Sequence, residues 1–153
     1  MATQVKPVPD GYHTITPYLV VDGAEKIIRF VKEAFGAQPL FDPMARPDGK
    51  IMHSEFKIGD SVVMISDSSE RAQATSDTLY LYVPNVDAVY QKALKAGGKS
   101  LMEPMDQFYG DRSGSVIDPA GNRWYIATHV EDVSPGELKK RAAEFMKQQN
   151  KAA

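Results

Sequence analysis

Cysteine is absent from the 153 residues, so disulfides, thiolate metal sites and thiol nucleophiles are all excluded. Histidine is scarce: His13, His53 and His129 are the three present, which tightly limits imidazole chemistry. No apolar run approaches the ~20 residues of a membrane-spanning helix. Residues 1–12 also lack the basic-then-apolar order of a secretory signal. Charge of one sign is missing too. Eighteen Lys and Arg stand against 20 Asp and Glu, a net charge of −2, whereas a general nucleic-acid surface needs a basic face. These absences set the expectation of a cytoplasmic protein with neither nucleic acid nor membrane as partner. The apolar fraction of 42% and charged fraction of 25% are those of a globular domain long enough to bury a core.

The chain does contain an internal echo. Thr16-Pro17-Tyr18-Leu19-Val20-Val21 returns as Thr78-Leu79-Tyr80-Leu81-Tyr82-Val83, an offset of 62 residues. Further on, Gly36/Gly97, Leu40/Leu101, Pro43/Pro104 and Met44/Met105 recur at an offset of 61. A unit of about sixty residues buries only about 60% of its unfolded surface and is marginal alone. Two such units complete one another and leave a shared concave surface where a ligand can sit.

Local signals divide the chain as follows. Residues 1–12, with two prolines and a glycine, form an N-terminal arm. A first βαβββ module spans 13–68 and a second spans 77–130, with a polar linker at 69–76 and a C-terminal helix within 131–153. In the first module the strand at 14–21 alternates, and Ile27, Ile28, Phe30, Val31 and Phe35 form a helical stripe over 24–35 that ends at Gly36. Gly59-Asp60 is a two-residue hairpin signal between 51–58 and 61–67. The second module repeats the order, and Asp118-Pro119-Ala120-Gly121-Asn122 turns the chain into its last strand. Ser134-Pro135-Gly136-Glu137 has capping-box spacing for the final helix, whose Leu138, Phe145 and Met146 suit docking on the domain or on a second subunit.

Strand alternation sorts the side chains into two faces. Phe56, Val63, Ile65, Leu19, Val21, Leu79, Leu81, Trp124 and Ile126 suit packing under the helices. The opposite face carries Thr16, Tyr18, His53, Glu55, Met64, Thr78, Tyr80, Tyr82 and Tyr125. Hydroxyls, a thioether and single ionisable groups on one face have the profile of a ligand pocket.

A tandem βαβββ repeat with Asp-Pro-x-Gly-Asn before its last strand resembles the vicinal oxygen chelate superfamily of glyoxalases, bleomycin-resistance proteins and extradiol dioxygenases. Gly110-Asp111-Arg112-Ser113-Gly114, Asp118 to Trp124, Ala127 to Val133, Thr16-Pro17-Tyr18-Leu19 and Met52-His53-Ser54-Glu55 are similar to its PhnB-like branch. The resemblance implies an α+β fold in which the two modules form a curved mixed sheet around a cleft, with helices on the convex face and an extra C-terminal helix. It also implies a homodimer. In metal-dependent members each module gives one ligand from its first strand and one from its last. Those four positions here are Thr16, Met64, Thr78 and Tyr125, a poor set for a divalent ion because hydroxyls are weak ligands and a thioether prefers soft metals. No metal or other cofactor is therefore expected.

Two functions compete on these residues. The first is a metal-free protein that binds a small organic ligand in the cleft through Tyr18, Met64, Tyr80, Tyr82, Tyr109, Asp111, Arg112 and Tyr125. The alternative is a lyase, isomerase or dioxygenase using His53 and Glu55 as catalytic candidates, with or without a divalent metal. A Glu55 deep beside Met64 would have its pKa raised by desolvation, as a general base requires. Arg112 would either clamp an anion or staple its own loop in an ion pair with an aspartate. His13 and His129, near strand ends, read as solvated imidazoles.

Overall fold

The computed structural model describes residues 5–153, so the first four residues of the expected arm lie outside the described residues. The first module runs β1 (Tyr18–Val21), α1 (Ala24–Phe35), β2 (Gln38–Pro39), β3 (Met44–Ala45), β4 (Ile51–His53), β5 (Glu55–Ile58) and β6 (Ser61–Asp67). The second runs β7 (Thr78–Tyr82), α2 (Val86–Lys95), β8 (Lys99–Asp106), β9 (Asp111–Ile117) and β10 (Arg123–His129), and α3 (Pro135–Ala152) closes the chain.

Sequence chemistry explains the helix ends. Gly23 opens α1 without a side chain to cap it, and Asp67 of β6 supplies the acceptor instead, taking the Gly23 and Ala24 amides at 3.0 and 2.9 Å. A carboxylate there also suits the positive end of the helix dipole. Asn85 caps α2 through its own side chain, which accepts from the Ala88 amide at 3.1 Å. Gly36 ends α1 with φ of 67°, a conformation that favours glycine.

Each module builds its own four-stranded sheet, in the orders β1-β6-β5-β2 and β7-β10-β9-β8. In both, the first strand runs parallel to the last and the remaining pairs are antiparallel. The Gly59-Asp60 hairpin sets the expected register, with Ile58 opposite Ser61 and Glu55 opposite Met64. One further step breaks it. The Ser54 carbonyl still accepts from the Ile65 amide at 2.9 Å, but the Ser54 hydroxyl donates to the Ile65 carbonyl at 2.6 Å, and His53 pairs with Met44 in a separate β3-β4 ribbon. The modules differ most in their outer strand. β8 runs eight residues, while the matching stretch of the first module is split between β2 and β3. The bridging segment carries Phe41, which stacks on His53 at 6.2 Å between ring centroids.

One core joins the modules. Leu19, Val21, Phe56, Val63 and Ile65 from the first sheet, α1 and α2 residues, and Val116, Trp124 and Ile126 from the second belong to one buried cluster. Trp124 meets Phe35 of α1 at 4.8 Å, and Phe35 meets Phe30 at 5.5 Å. The helix-facing side chains assigned by alternation are therefore the ones that pack. Burial of each large apolar side chain supplies roughly 1.5–3 kcal/mol. Gly98 permits the approach: a Cβ there would lie 3.2 Å from the Phe30 ring and 2.9 Å from the Ala93 carbonyl oxygen. The Asp118–Asn122 turn holds the edge of this core. The buried Asp118 carboxylate accepts from the Ala120 and Asn122 amides, the Asn122 side chain and the Trp124 indole N–H, all within 3.0 Å. The indole thus enters the core with its one donor satisfied.

Candidate functional site

With the helix sides buried together, the opposite faces of the two sheets point away from the core. Tyr18, Tyr80 and Tyr82 remain 46, 42 and 61% exposed. Each face carries one carboxylate that is itself buried, Glu55 at 8% and Asp111 at 3%. A buried carboxylate must be hydrogen-bonded or neutral. Both are hydrogen-bonded.

On the first face, Glu55 Oε1 receives His53 Nε2 at 2.9 Å and Oε2 receives the Tyr12 hydroxyl from the N-terminal arm. Tyr18 stands over the other side of His53, with its hydroxyl 3.1 Å from Ser66 Oγ and 3.5 Å from His53 Nδ1. The arm, Glu55 and Met64 enclose a depression of about 370 Å³ floored by the carboxylate. Burial pushes the Glu55 carboxyl up, but the hydrogen bonds from Tyr12 and His53 outweigh it and hold the group below its ordinary value. This corrects the expectation of a raised pKa. Desolvation beside Met64 is present, and two donors aimed at the ionised form overcome it.

On the second face, Asp111 Oδ2 receives the Tyr80 and Tyr82 hydroxyls at 2.8 and 2.9 Å, and Oδ1 receives His129 Nδ1 at 2.8 Å. Strand register explains the meeting: Asp111 and His129 are cross-strand partners. Tyr80 stacks on Tyr125 at 5.7 Å. Burial pushes Asp111 up, and the bonds from His129, Tyr80 and Tyr82 bring it below its ordinary value. The Asp111 bond, helped by Asp132 on Nε2 at 2.7 Å, raises the His129 imidazole above 6.5. Tyr80 is pushed upward by burial, then by the neighbouring Tyr109 hydroxyl and Asp111.

The candidate residues thus divide into two groups. Tyr18, His53, Glu55 and Met64 meet on the first face, while Tyr80, Tyr82, Tyr109, Asp111 and Tyr125 meet on the second. Among the described residues no hydrogen bond joins the two clusters. Arg112 belongs to neither. Strand parity turns it to the helix side, where Nε and Nη2 hold Asp87 of α2 at 2.9 Å each and Nη1 reaches Asp106 at 3.3 Å. It staples helix to sheet, through aspartates other than the adjacent Asp111.

His129 is half exposed at the end of β10, as expected of it, and in addition both its ring nitrogens are engaged. Tyr12, Phe41 and Asp132 were not anticipated. The Asp111–His129 pair could have been found by stepping outward from the 118–122 turn, which sets the β9–β10 register. Tyr12 carries no such signal, because the arm has no periodicity. A larger cavity of about 530 Å³ lies between the modules, bordered by Phe35, Ile58, Ser61, Tyr80, Tyr82 and Lys92. Neither buried carboxylate lines it, and its polar side chains are Asp60, Ser61, Tyr80, Tyr82 and Lys92.

Paired modules whose outward faces each present a carboxylate among aromatic rings define a protein built on a duplicated cleft-forming fold. Residues 11–126 match the model of the Glyoxalase/Bleomycin resistance protein/Dioxygenase superfamily, and the chain belongs to that superfamily. It is 34% identical over 149 residues to the uncharacterized protein Rv0887c of Mycobacterium tuberculosis, covering 90% of this chain and 84% of that one. The uncharacterized Mb0911c of Mycobacterium bovis is equally similar, with 93% of its length covered. TioX from Micromonospora sp. ML1 shares the fold at a TM-score of 0.61 and 20% identity, over 76% of this chain and 99% of that one. A glyoxalase-related enzyme from Fulvimarina pelagi shares it at 0.61 and 21%, over 76% and 87%.

The superfamily's metal-dependent members raise the question of a divalent ion. The matching positions fall at Thr16, Met64, Thr78 and Tyr125, and the strand registers confirm that Met64 and Tyr125 are equivalent, opposite Tyr18 and Tyr80. Two alcohols, a thioether and a phenol do not suit a hard or borderline divalent ion. Among the described residues no group of three or more His, Asp or Glu side chains is arranged to hold a metal ion. The residues present do not fit the metal.

Proposed function

We propose that this protein binds a small organic ligand without a catalytic metal, and that the ligand is an organic cation carried by Glu55. The observation that supports this most directly is a buried, ionised carboxylate at the floor of a depression whose sides are Tyr12, Met64 and the proline-rich arm. The Tyr12 ring lines the depression, and an aromatic ring there suits a cation through its quadrupole. Tyr12 and His53 hold the carboxylate ionised and oriented. A cation entering the depression meets it by taking the place of the Tyr12 hydroxyl.

The motifs of the 110–114, 118–124 and 127–133 segments favour a place in the PhnB-like branch. We further propose a homodimer, because α3 has no buried residue and leaves Leu138, Phe145 and Met146 exposed as apolar surface for a second copy to cover.

Titration with benzyltrimethylammonium, followed by calorimetry and by the His53 ring signals in NMR spectra, tests the ligand class. Saturable binding that falls by roughly tenfold in Glu55→Gln, a loss of about 1.4 kcal/mol, is the expected result. Equal binding by Glu55→Gln overturns the assignment.

A further inference from the structure

We propose a second ligand site on the other sheet, in which His129 holds the carboxylate of an aromatic acid whose ring lies on Tyr82 and Tyr80. Asp111 is the organiser of this site and is not open to a ligand. Its Oδ2 takes two phenols and its Oδ1 takes His129 Nδ1, with every bond between 2.8 and 2.9 Å. The carboxylate therefore fixes the imidazole so that Nε2 points outward. At Nε2 the molecule already displays the ligand chemistry: the Asp132 carboxylate sits there at 2.7 Å.

Asp132 is a weak competitor. Its side chain is fully exposed and His129 is 50% exposed, and ion pairs between such groups contribute little. An incoming carboxylate that also gains ring contact displaces it. Tyr82 supplies the ring contact: its hydroxyl and the imidazole are neighbours on the same Asp111 carboxylate, and it is 61% exposed. Tyr80, packed at 5.2 Å from Tyr82 and stacked on Tyr125, extends the aromatic surface.

Two independent features mark the place as built. Ser113, opposite Ala127 on the same face and two residues from Asp111, is fully buried, and its hydroxyl has no hydrogen-bonding partner among the described residues. Buried hydroxyls without partners are rare, and this one lies beneath the face, cross-strand from the exposed Met105. Gly110 supplies the second feature. Its carbonyl accepts from the Val130 and Glu131 amides at 2.9 and 3.0 Å, and a Cβ on it would lie 2.2 Å from the Glu131 carbonyl oxygen. Only glycine permits that approach, which clamps the segment leading to Asp132 beside His129.

Benzoate titrated into the full chain, read by the His129 ring nitrogen signals and by calorimetry, tests the site. Benzoate is expected to shift the Nε2 signal saturably, and cyclohexanecarboxylate, which lacks the flat ring, to bind several-fold more weakly. Asp132→Asn should tighten benzoate several-fold by removing the internal competitor, and His129→Gln should abolish binding. Benzyltrimethylammonium should leave the His129 signals where they are, which separates this site from the one at Glu55. Unmoved His129 signals with benzoate, unchanged or weaker binding by Asp132→Asn, or equal affinity for the saturated acid would each overturn the proposal. Asp132 is fully exposed, so its variant reports on binding with folding intact.

Discussion

The two outward faces use the same parts, a buried carboxylate, a histidine and tyrosines, and expose opposite ends of them. On the first face the histidine precedes the carboxylate on the same strand side and is the more enclosed, 26% exposed at its side chain. The removable partner there is Tyr12 on the arm, bonded to the carboxylate. On the second face the histidine is the cross-strand neighbour of the carboxylate and is 50% exposed. The removable partner there is Asp132, bonded to the imidazole. A dyad presents whichever group is held by the more loosely attached partner. Duplication of one fold can therefore yield an anionic and a cationic site from nearly the same residue types.

The largest expected effect is one that does not discriminate between the faces. Trp124→Ala removes the ring that packs on Phe35 in the shared core and leaves Asp118 without one of its donors. A loss of about 3–5 kcal/mol is expected for such a truncation, measured by denaturant unfolding. Both faces should lose their ligands together as the fold weakens. Retention of one face's binding in a destabilised variant would show that the modules fold independently.

Gly110→Ala should separate the faces. Its φ of 98° and the contact with the Glu131 carbonyl act only on the second sheet. A positive-φ residue with a side chain costs about 1–3 kcal/mol. The His129 NMR signals should change while those of His53 stay in place. Change at both histidines would mean that the clusters communicate through the core.

The pH dependence sharpens the contrast. His129 is raised above 6.5 in the fold, so its contribution is complete below that pH and is lost as pH rises through the raised value. Asp111 is lowered from 3.8, so its contribution is complete above that value and fades as pH falls through the lowered one. The second face therefore stabilises most between 3.8 and 6.5 and weakens on both sides. Glu55, lowered from 4.5, gives the first face an acid limb. Thermal melts across pH should show that His129→Gln removes the decline above 6.5 and leaves an acid side shaped by Glu55 and by Asp111, which keeps its Tyr80 and Tyr82 donors.

How much of this the sequence carried depends on range. Helix stripes, the Gly59-Asp60 hairpin and the repeat offset are local or periodic, and they specified α1, α2 and the Glu55–Met64 register directly. Alternation from that hairpin placed Phe56, Val63 and Ile65 under the helices correctly. It does not extend past Ser54, where the hydroxyl takes the Ile65 carbonyl and His53 turns to pair with Met44. The direction of the Glu55 shift was misjudged for a similar reason. Its decisive donor, Tyr12, is 43 residues away on a segment without periodicity. Arg112 shows the converse: parity alone puts it opposite Asp111, and the flanking glycines are compatible with a loop or a strand start, of which β9, beginning at Asp111, is the second.

Tyr12→Phe is the smallest change and the closest test of the rule that the loosely held partner sets which group is presented. It keeps the ring against the depression and deletes only the hydroxyl that occupies Glu55 Oε2. A partly exposed hydrogen bond of this kind contributes about 0.5–1.5 kcal/mol, so unfolding stability should fall by no more than that. Glu55 should titrate at a higher pH, since a donor to its ionised form is gone. Binding of benzyltrimethylammonium well above that pH should nevertheless tighten, because the cation no longer competes with the phenol for Oε2. The rule then holds on both faces, Tyr12→Phe freeing an anion as Asp132→Asn frees a cation. If Tyr12→Phe weakens the cation instead, the phenol is part of the ligand's own contact set. The arm would then act as a wall of the site, and the symmetry between the faces would be lost.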